Sequence, residues 1–185
     1  MMQPFIVPAK EQVTEETQAI FDQLQKRLGK VPNLYATMGY SAHALKAFLA
    51  FEEGLNKGSF NAKEREAIAL VVSQVNDCAY CLAAHTAAAL QRGFKKEETF
   101  LIRNGVATDA KLNTVLKLAK SIAENKGNAE ETEVEDFFNA GYNEAAMMEL
   151  IGLVAVRIFT NYVYTLTNIP VDFPAADPLP KLALA

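Results

Sequence analysis

The 185-residue sequence has few of the features that mark nucleic-acid-binding, membrane or secreted proteins. It has no tryptophan, only two cysteines and two histidines, and a formal net charge of −4 at pH 7. This mildly acidic chain offers no basic stripe for a phosphate backbone and no P-loop or dinucleotide-binding glycine motif. Its first ten residues, MMQPFIVPAK, lack the basic start and apolar run of a signal peptide. We therefore expect a cytoplasmic protein that binds neither nucleic acid nor membrane.

One long apolar segment, Ala145 to Leu166, is long enough to cross a bilayer. It contains Glu149, Arg157 and Asn161, and each of these side chains is costly in hydrocarbon. The segment predicts instead a helix that is buried on nearly all sides, in the core or in an oligomer interface.

Capping residues before apolar-periodic runs, and Gly or Asn after them, divide the chain into helices. No segment alternates at period two, so the sequence predicts an all-α fold of about eight helices in a single domain, 1–185. Four prolines predict an extended C-terminal tail, 168–185, that either frays or wraps a partner subunit. The predicted helical segments are Glu15–Leu28, a short one after Asn33, Ala42–Asn56, Ala62–Val75, Cys78–Arg92, Glu97–Arg103, Asp109–Lys126, Glu133–Ala140 and Glu144–Thr167.

A weak internal repeat relates the two halves of the chain at an offset of 83 residues. EAIALVV at Glu66–Val72 aligns with ELIGLVA at Glu149–Ala155. Chance similarity between apolar helices is the alternative to a duplication. If the duplication is real, the second half kept the packing and lost the chemistry, because Cys78, Cys81 and His85 align with Asn161, Tyr164 and Asn168.

Residues 77–85, DCAYCLAAH, hold both cysteines and one histidine. On one helix Cys78, Cys81 and His85 share a face, so their side chains can interact. With Asp77 as the cap, Cys78 would occupy the first helical position, where the helix dipole favours a thiolate. His85, one turn beyond Cys81, can exchange a proton with it. The pair predicts redox chemistry over the alternative of a zinc site, because no fourth Cys or His lies nearby in the sequence.

Glu66 is the remaining candidate partner, twelve residues before Cys78. On a straight helix the separation would be about 18 Å, too far for side chains to meet. A bend at Asn76-Asp77 with antiparallel flanking helices would bring Glu66 level with His85. The carboxylate would then orient the imidazole, as in catalytic triads.

Glu66, eleven residues and then CAYCLAAH resemble the alkyl hydroperoxidase D core of the carboxymuconolactone decarboxylase-like superfamily, E-x(11)-C-x-x-C-x-x-x-H. KVPNLYATMGYSAHALKAF and TNYVYTLTNIPVDFP look like its peroxidase-related branch, so the resemblance covers Val31 to Pro174. It implies an all-α fold and an obligate homo-oligomer, whether dimer, trimer or hexamer. It also implies thiol-dependent reduction of hydrogen peroxide or organic hydroperoxides, with no bound cofactor and a lipoyl or thioredoxin-like dithiol as reductant.

Site roles follow from the same resemblance. Cys81 matches the cysteine that attacks peroxide, Cys78 matches its disulfide partner, and Glu66 and His85 match the proton relay. Tyr80 departs from the pattern, because the best-studied members carry a second histidine between the cysteines. Helix position alone would make Cys78 the nucleophile, and we follow the resemblance in choosing Cys81.

Two other functions fit the same residues. In one, the chain is a redox-responsive helical oligomer whose Cys78–Cys81 disulfide switches packing with little turnover. In the other, it catalyses carboxymuconolactone decarboxylation. Decarboxylases of the family generally lack the C-x-x-C pair, which counts against the second alternative.

Overall fold

A computed structural model describes residues 5–180, and this part of the chain is helical with no strand. The prediction of an all-α fold is confirmed. A short 3-10 turn at Lys10–Gln12 precedes nine α-helices: α1 Glu15–Leu28, α2 Asn33–Met38, α3 Ala42–Leu55, α4 Ala62–Val75, α5 Ala79–Gln91, α6 Lys96–Arg103, α7 Ala110–Glu124, α8 Glu131–Asn139 and α9 Glu144–Thr167.

Local capping explains why several helices begin where the sequence predicts. The side chains of Thr14, Ser41 and Asn61 accept backbone N–H groups at the starts of α1, α3 and α4. Glu64 completes a capping box with Asn61 by accepting its backbone N–H at 2.7 Å. Gly29 ends α1 in the left-handed conformation, at φ 77°.

Four predicted helix starts differ from the structure, and α6 begins at Lys96, one residue before its predicted start. Cys78, not Asp77, is the N-cap of α5, so Cys78 does not lie in the first helical turn. Asp109, not Thr108, caps α7, because its carboxylate accepts the Leu112 N–H at 2.7 Å. Helix α8 begins at Glu131 rather than after Thr132. Acidic side chains in its first turn suit the positive end of the helix dipole.

Helix α4 lies at the centre of the fold. Residues Ala67–Ser73 are all buried, and α5, α6, α7 and α9 pack around them. One apolar cluster joins α4 to α7, α8 and the first half of α9. A second joins α1, α2 and α3 to the cysteines and to Val156 on α9. The site residues therefore lie where α4 and α5 meet the second cluster.

Helix α9 is long and apolar enough to cross a membrane, with a mean hydropathy of 1.4, and it packs here against α3, α4 and α7. The sequence predicted that this helix is buried on nearly all sides, but in the single chain only one of its faces is buried. Leu150 and Val154 are buried, whereas Tyr162 is 62% exposed and Leu166 67%. The opposite face of α9 thus presents apolar side chains at its surface.

The described part of the C-terminal tail contacts its own chain and so does not fray, and wrapping of a partner subunit stays a prediction. Ile169 is buried, and the Lys30 ammonium lies 2.9 Å from the Asp172 carboxylate. Lys96 pairs with Asp177 at 2.8 Å. Residues 181–185 of the predicted tail lie outside the described residues.

The two helices of the proposed repeat, α4 and α9, contact each other. The aligned positions differ in burial: Ile68 is buried, whereas its counterpart Ile151 is 42% exposed. The duplication itself stays a prediction. Two aligned pairs are buried on both helices: Leu70 with Leu153, and Val71 with Val154.

Candidate functional site

The turn between α4 and α5 brings the predicted residues together. Asp77 adopts φ 48°, a left-handed conformation that Asp tolerates better than most residues. The Cys78 N–H donates to the Ser73 carbonyl at 3.0 Å and closes the turn. The chain reverses there, so the Glu66 Oε2 lies 2.8 Å from the His85 Nδ1. The predicted bend and the Glu66–His85 contact are confirmed.

Both cysteines are buried free thiols at the start of α5. As the N-cap, Cys78 uses its sulfur to accept the Cys81 N–H at 3.3 Å. The Cys81 sulfur lies 4.0 Å from the Thr160 hydroxyl of α9. The two sulfurs thus share one protected site at a helix N-terminus.

Electrostatics distinguish the two thiols. A hydrogen bond from the Cys78 thiol lowers the pKa of Cys81 to about 6 despite its burial, with further help from hydrogen bonds with Asn161 and Thr160. The same hydrogen bond, together with burial, raises the pKa of Cys78. The expectation that Cys78 has the lower pKa assumed that it lies in the first helical turn, and its N-cap position removes that reason. Cys81 is the thiol that ionises first.

Asn161 of α9 belongs to the site, although the sequence analysis gave it no role there. Its side chain is fully buried and hydrogen-bonds to Ser73 and Asn76 beside the α4–α5 turn. It also lowers the pKa of both thiols by hydrogen bonding. A polar residue inside the apolar run of α9 was the signal that could have identified it.

His85 lies between a carboxylate and a guanidinium. Burial would raise the pKa of Glu66, but the hydrogen bond with His85 and the charges of Arg157 and Arg92 outweigh it and lower that pKa. On the other side, Arg157 Nη1 lies 3.2 Å from the His85 Nε2. Arginine only donates, so Nε2 accepts and Nδ1 carries the proton that it donates to Glu66.

Arg157 extends this row of polar groups to a second carboxylate, a link that the sequence analysis missed. Its Nη2 donates to Glu52 of α3, and the Tyr35 hydroxyl donates to the same carboxylate at 3.3 Å. Burial alone would lower the pKa of Arg157, but Glu52 and other neighbours outweigh it and raise that pKa. A lone arginine within an apolar helix was again the only sequence signal.

Two neighbouring cavities border this row of polar groups. A narrow one of about 70 Å³ is bounded by Cys81, Tyr80 and Thr160. A wider groove of about 920 Å³ opens beside it, with Glu66 and Glu52 in its walls. The two cavities share Pro32, Tyr35, Ala84, His85, Arg157 and Phe173.

Tyr80, which lies between the cysteines, ties them to the C-terminal tail. Its buried hydroxyl donates to Asp172 at 2.5 Å and accepts the Leu34 N–H at 3.1 Å. Its ring packs against those of Tyr164 and Phe173. The hydroxyl therefore donates one hydrogen bond and accepts another within the fold.

The second histidine lies apart from these residues. His43 is exposed on α3 and lines neither cavity. Within residues 5–180, no three His, Cys, Asp or Glu side chains are grouped so as to hold a metal ion.

Comparison with known proteins relates this geometry to a family. Residues 42–124 match the model of the carboxymuconolactone decarboxylase family. A search of curated protein sequences gave no match.

Solved structures match over nearly the whole chain. An uncharacterized peroxidase-related protein from Silicibacter sp. TM1040 is 27% identical, with a TM-score of 0.77 over 95% of both chains. A peroxidase-related protein with an alkylhydroperoxidase AhpD core, from Ralstonia eutropha JMP134, is 19% identical, with a TM-score of 0.81 over 91% of this chain and 92% of that one. The debrominase Bmp8, in complex with 2,3,4-tribromopyrrole, is 16% identical, with a TM-score of 0.77 over 92% and 93%. The last two likenesses concern the fold alone.

Proposed function

Because the chain belongs to the carboxymuconolactone decarboxylase-like superfamily, which includes the AhpD-like proteins, we propose that it is a cytoplasmic thiol peroxidase. Its substrate would be hydrogen peroxide or an organic hydroperoxide. The observation that carries the proposal is the asymmetry of the Cys78–Cys81 pair. One thiol ionises at a pKa of about 6 and its neighbour stays protonated at neutral pH, as a nucleophile and its resolving partner require.

In the first step, the Cys81 thiolate attacks one oxygen of the O–O bond. A sulfur–oxygen bond forms as the O–O bond breaks, and the second oxygen leaves with the bonding electron pair. Sulfur is oxidised by two electrons to the sulfenic acid, and the peroxide is reduced to water or an alcohol. The leaving oxygen needs one proton, and His85 is the nearby group that Glu66 orients to supply it.

In the second step, the Cys78 thiol attacks the Cys81 sulfenic acid, a disulfide forms and water leaves. The contact between the Cys78 sulfur and the Cys81 N–H, at 3.3 Å, keeps the two residues close enough for this reaction. An external dithiol, lipoyl or thioredoxin-like, then reduces the disulfide and becomes oxidised itself. No bound cofactor takes part in the cycle.

The sizes of the two cavities indicate which peroxides can reach Cys81. The narrow cavity beside Cys81, about 70 Å³, suits a peroxide group and little more. The groove of about 920 Å³ beside it has room for the organic part of a hydroperoxide. The proposed enzyme therefore accepts both hydrogen peroxide and organic hydroperoxides.

The proposed enzyme works as a homo-oligomer through the exposed face of α9. Apolar side chains recur on this face at steps of three and four residues, the spacing of helix–helix contacts. An apolar face of this length is unusual for a monomer surface, and a second copy of the chain is the proposed partner. Its members are Met148, Ile151, Ala155, Phe159, Tyr162 and Leu166.

A turnover assay tests the function. Purified protein is given hydrogen peroxide or tert-butyl hydroperoxide, with dihydrolipoamide or reduced thioredoxin as reductant, and peroxide loss is measured. We expect many turnovers with wild type and none with Cys81→Ser. One equivalent of peroxide consumed per chain, without turnover, would favour the redox-responsive oligomer. No consumption, with activity on carboxymuconolactone, would favour decarboxylation.

A further inference from the structure

The proposed steps give Arg157 no task, although its guanidinium lies against the imidazole that they use. Its side chain is 12% exposed and paired with Glu52, and it is placed at the boundary of the narrow cavity and the groove. A peroxide that reaches Cys81 through the groove therefore meets a charged donor of hydrogen bonds.

In the resting site both imidazole nitrogens are occupied. Nδ1 donates to Glu66 at 2.8 Å, and Nε2 accepts from Arg157 at 3.2 Å. While Arg157 keeps this contact, neither ring nitrogen of His85 is free to accept a further proton.

We propose that Arg157 blocks the His85 Nε2 in the resting site and, when a peroxide binds, moves to stabilise the leaving oxygen. This inference rests on the proposed peroxidase function. In the resting state Arg157 is a positioning residue, and in the reaction it touches the substrate. Neither role is among those implied for the C-x-x-C pair and its Glu–His relay.

When Arg157 leaves His85 for the peroxide, every proton and electron pair of the first step can be accounted for. With Arg157 turned to the peroxide, Nε2 is free to take up a proton, from Cys81 where that residue is still a thiol and otherwise from solvent. The thiolate attacks, the O–O bond breaks, and the electron pair goes to the leaving oxygen, where the guanidinium stabilises the charge. The imidazolium then gives its proton to that oxygen, so that a thiol and a peroxide yield a sulfenic acid and an alcohol or water.

Other titratable and charged groups line the two cavities with His85 and Arg157. They come from the first five helices, from the loop after α1 and from the tail. They are Arg27 on α1, Lys30 after it, Tyr35 on α2, Glu52 and Glu53 on α3, Arg65 and Glu66 on α4, Tyr80, Cys81 and Arg92 at α5, and Asp172 after α9.

Two reactivities of one thiol test the proposal. In a Cys78→Ser background Cys81 is the only cysteine of the chain, so every measurement reports on it. Iodoacetamide alkylation is measured against pH, and sulfenic acid formation with hydrogen peroxide is measured in a single turnover at pH 7. Arg157→Met should raise alkylation at pH 5 by about three- to tenfold, because freed Nε2 takes the thiol proton. It should slow the peroxide reaction about a hundredfold, because the leaving oxygen loses its cation.

We expect these opposite changes in variants whose circular dichroism matches that of the parent, because unfolding would itself expose the buried Cys81 to iodoacetamide. Arg157→Lys keeps the charge and should move both rates back toward those of the parent. In Arg157→Met alone the Glu52 carboxylate loses its ion-pair partner. The double variant Glu52→Gln/Arg157→Met removes that unpaired charge and should show the same opposite changes. Lys117→Met removes one cation from the exposed face of α7 and should leave both rates unchanged.

Rates that fall together, or that both stay unchanged in folded variants, overturn the proposal. Failure of the peroxidase function looks different, because the wild type would then react with no peroxide. In that case the alkylation profile alone decides: a faster reaction of Arg157→Met at pH 5 supports the resting contact, and an unmoved profile overturns it.

Discussion

Replacing Glu66 with glutamine tests whether the carboxylate supports the relay through its charge. Glutamine is nearly isosteric and can still accept the His85 Nδ1–H through its amide oxygen, so we expect the fold and the ring orientation to persist. The negative charge 2.8 Å from the imidazole is lost. In general, a neighbouring opposite charge shifts the pKa of an ionisable group by about one to three units. Such a shift changes the population of the charged form by about 10- to 1000-fold. Single-turnover peroxide reduction at pH 7 should therefore fall by about a hundredfold.

The assay follows sulfenic acid formation by stopped flow, and circular dichroism verifies the helical content of each variant. Glu149→Gln is the matched control. The Glu149 carboxylate accepts the Ser59 N–H at 2.6 Å, and the residue occupies the position that aligns with Glu66 in the proposed repeat. It should leave peroxide reactivity unchanged. His85→Gln combined with Glu66→Gln should cost no more than either change alone, because the two residues act as a unit. Full activity in folded Glu66→Gln, or an equal loss in Glu149→Gln, would refute the relay.

The thiols, Tyr80 and α9 give three further predictions. Because the pKa of Cys81 is lowered to about 6, its thiolate is present above that pH and is lost as pH falls through it. Alkylation mapped by mass spectrometry should show this midpoint for Cys81, with Cys78 unreactive throughout. Tyr80→Phe removes both hydrogen bonds of the hydroxyl and leaves the Leu34 N–H without its acceptor, so urea denaturation should show a loss of about 2 kcal/mol. Tyr162→Glu places a charge on the exposed face of α9 and should yield monomers in sedimentation experiments, whereas a monomeric wild type would contradict the proposed assembly.

Structural features that depend only on residues close together in the sequence could be predicted. Thr14 and Asn61 begin helices because a cap needs only a polar side chain and the next few backbone groups. The Glu66–His85 contact also followed from local rules, since one bend between two helices of known rise determines it.

The start of α5 was not predictable by those rules. Asp is the commoner cap, but Asp77 takes the left-handed position that closes the turn, and the cap falls to Cys78. That one-residue difference takes Cys78 out of the first helical turn, which was the reason for expecting it to have the lower pKa.

Contacts between distant parts of the chain were also beyond the sequence. Arg157 and Glu52 are 105 residues apart, and Lys30 and Asp172 are 142 residues apart. Each pair depends on how whole helices cross, which no local pattern specifies. For the same reason the sequence did not predict that the tail folds back on its own chain.

Sulfenic acid trapping tests the central claim most directly, that Cys81 is the peroxide-reactive thiol. Cys78→Ser and Cys81→Ser proteins are treated with one equivalent of hydrogen peroxide in the presence of dimedone, and the modified peptide is identified by mass spectrometry. We predict a dimedone adduct on Cys81 in Cys78→Ser and none in Cys81→Ser. An adduct on Cys78 in Cys81→Ser, with Cys81 unmodified in the other variant, would contradict the account.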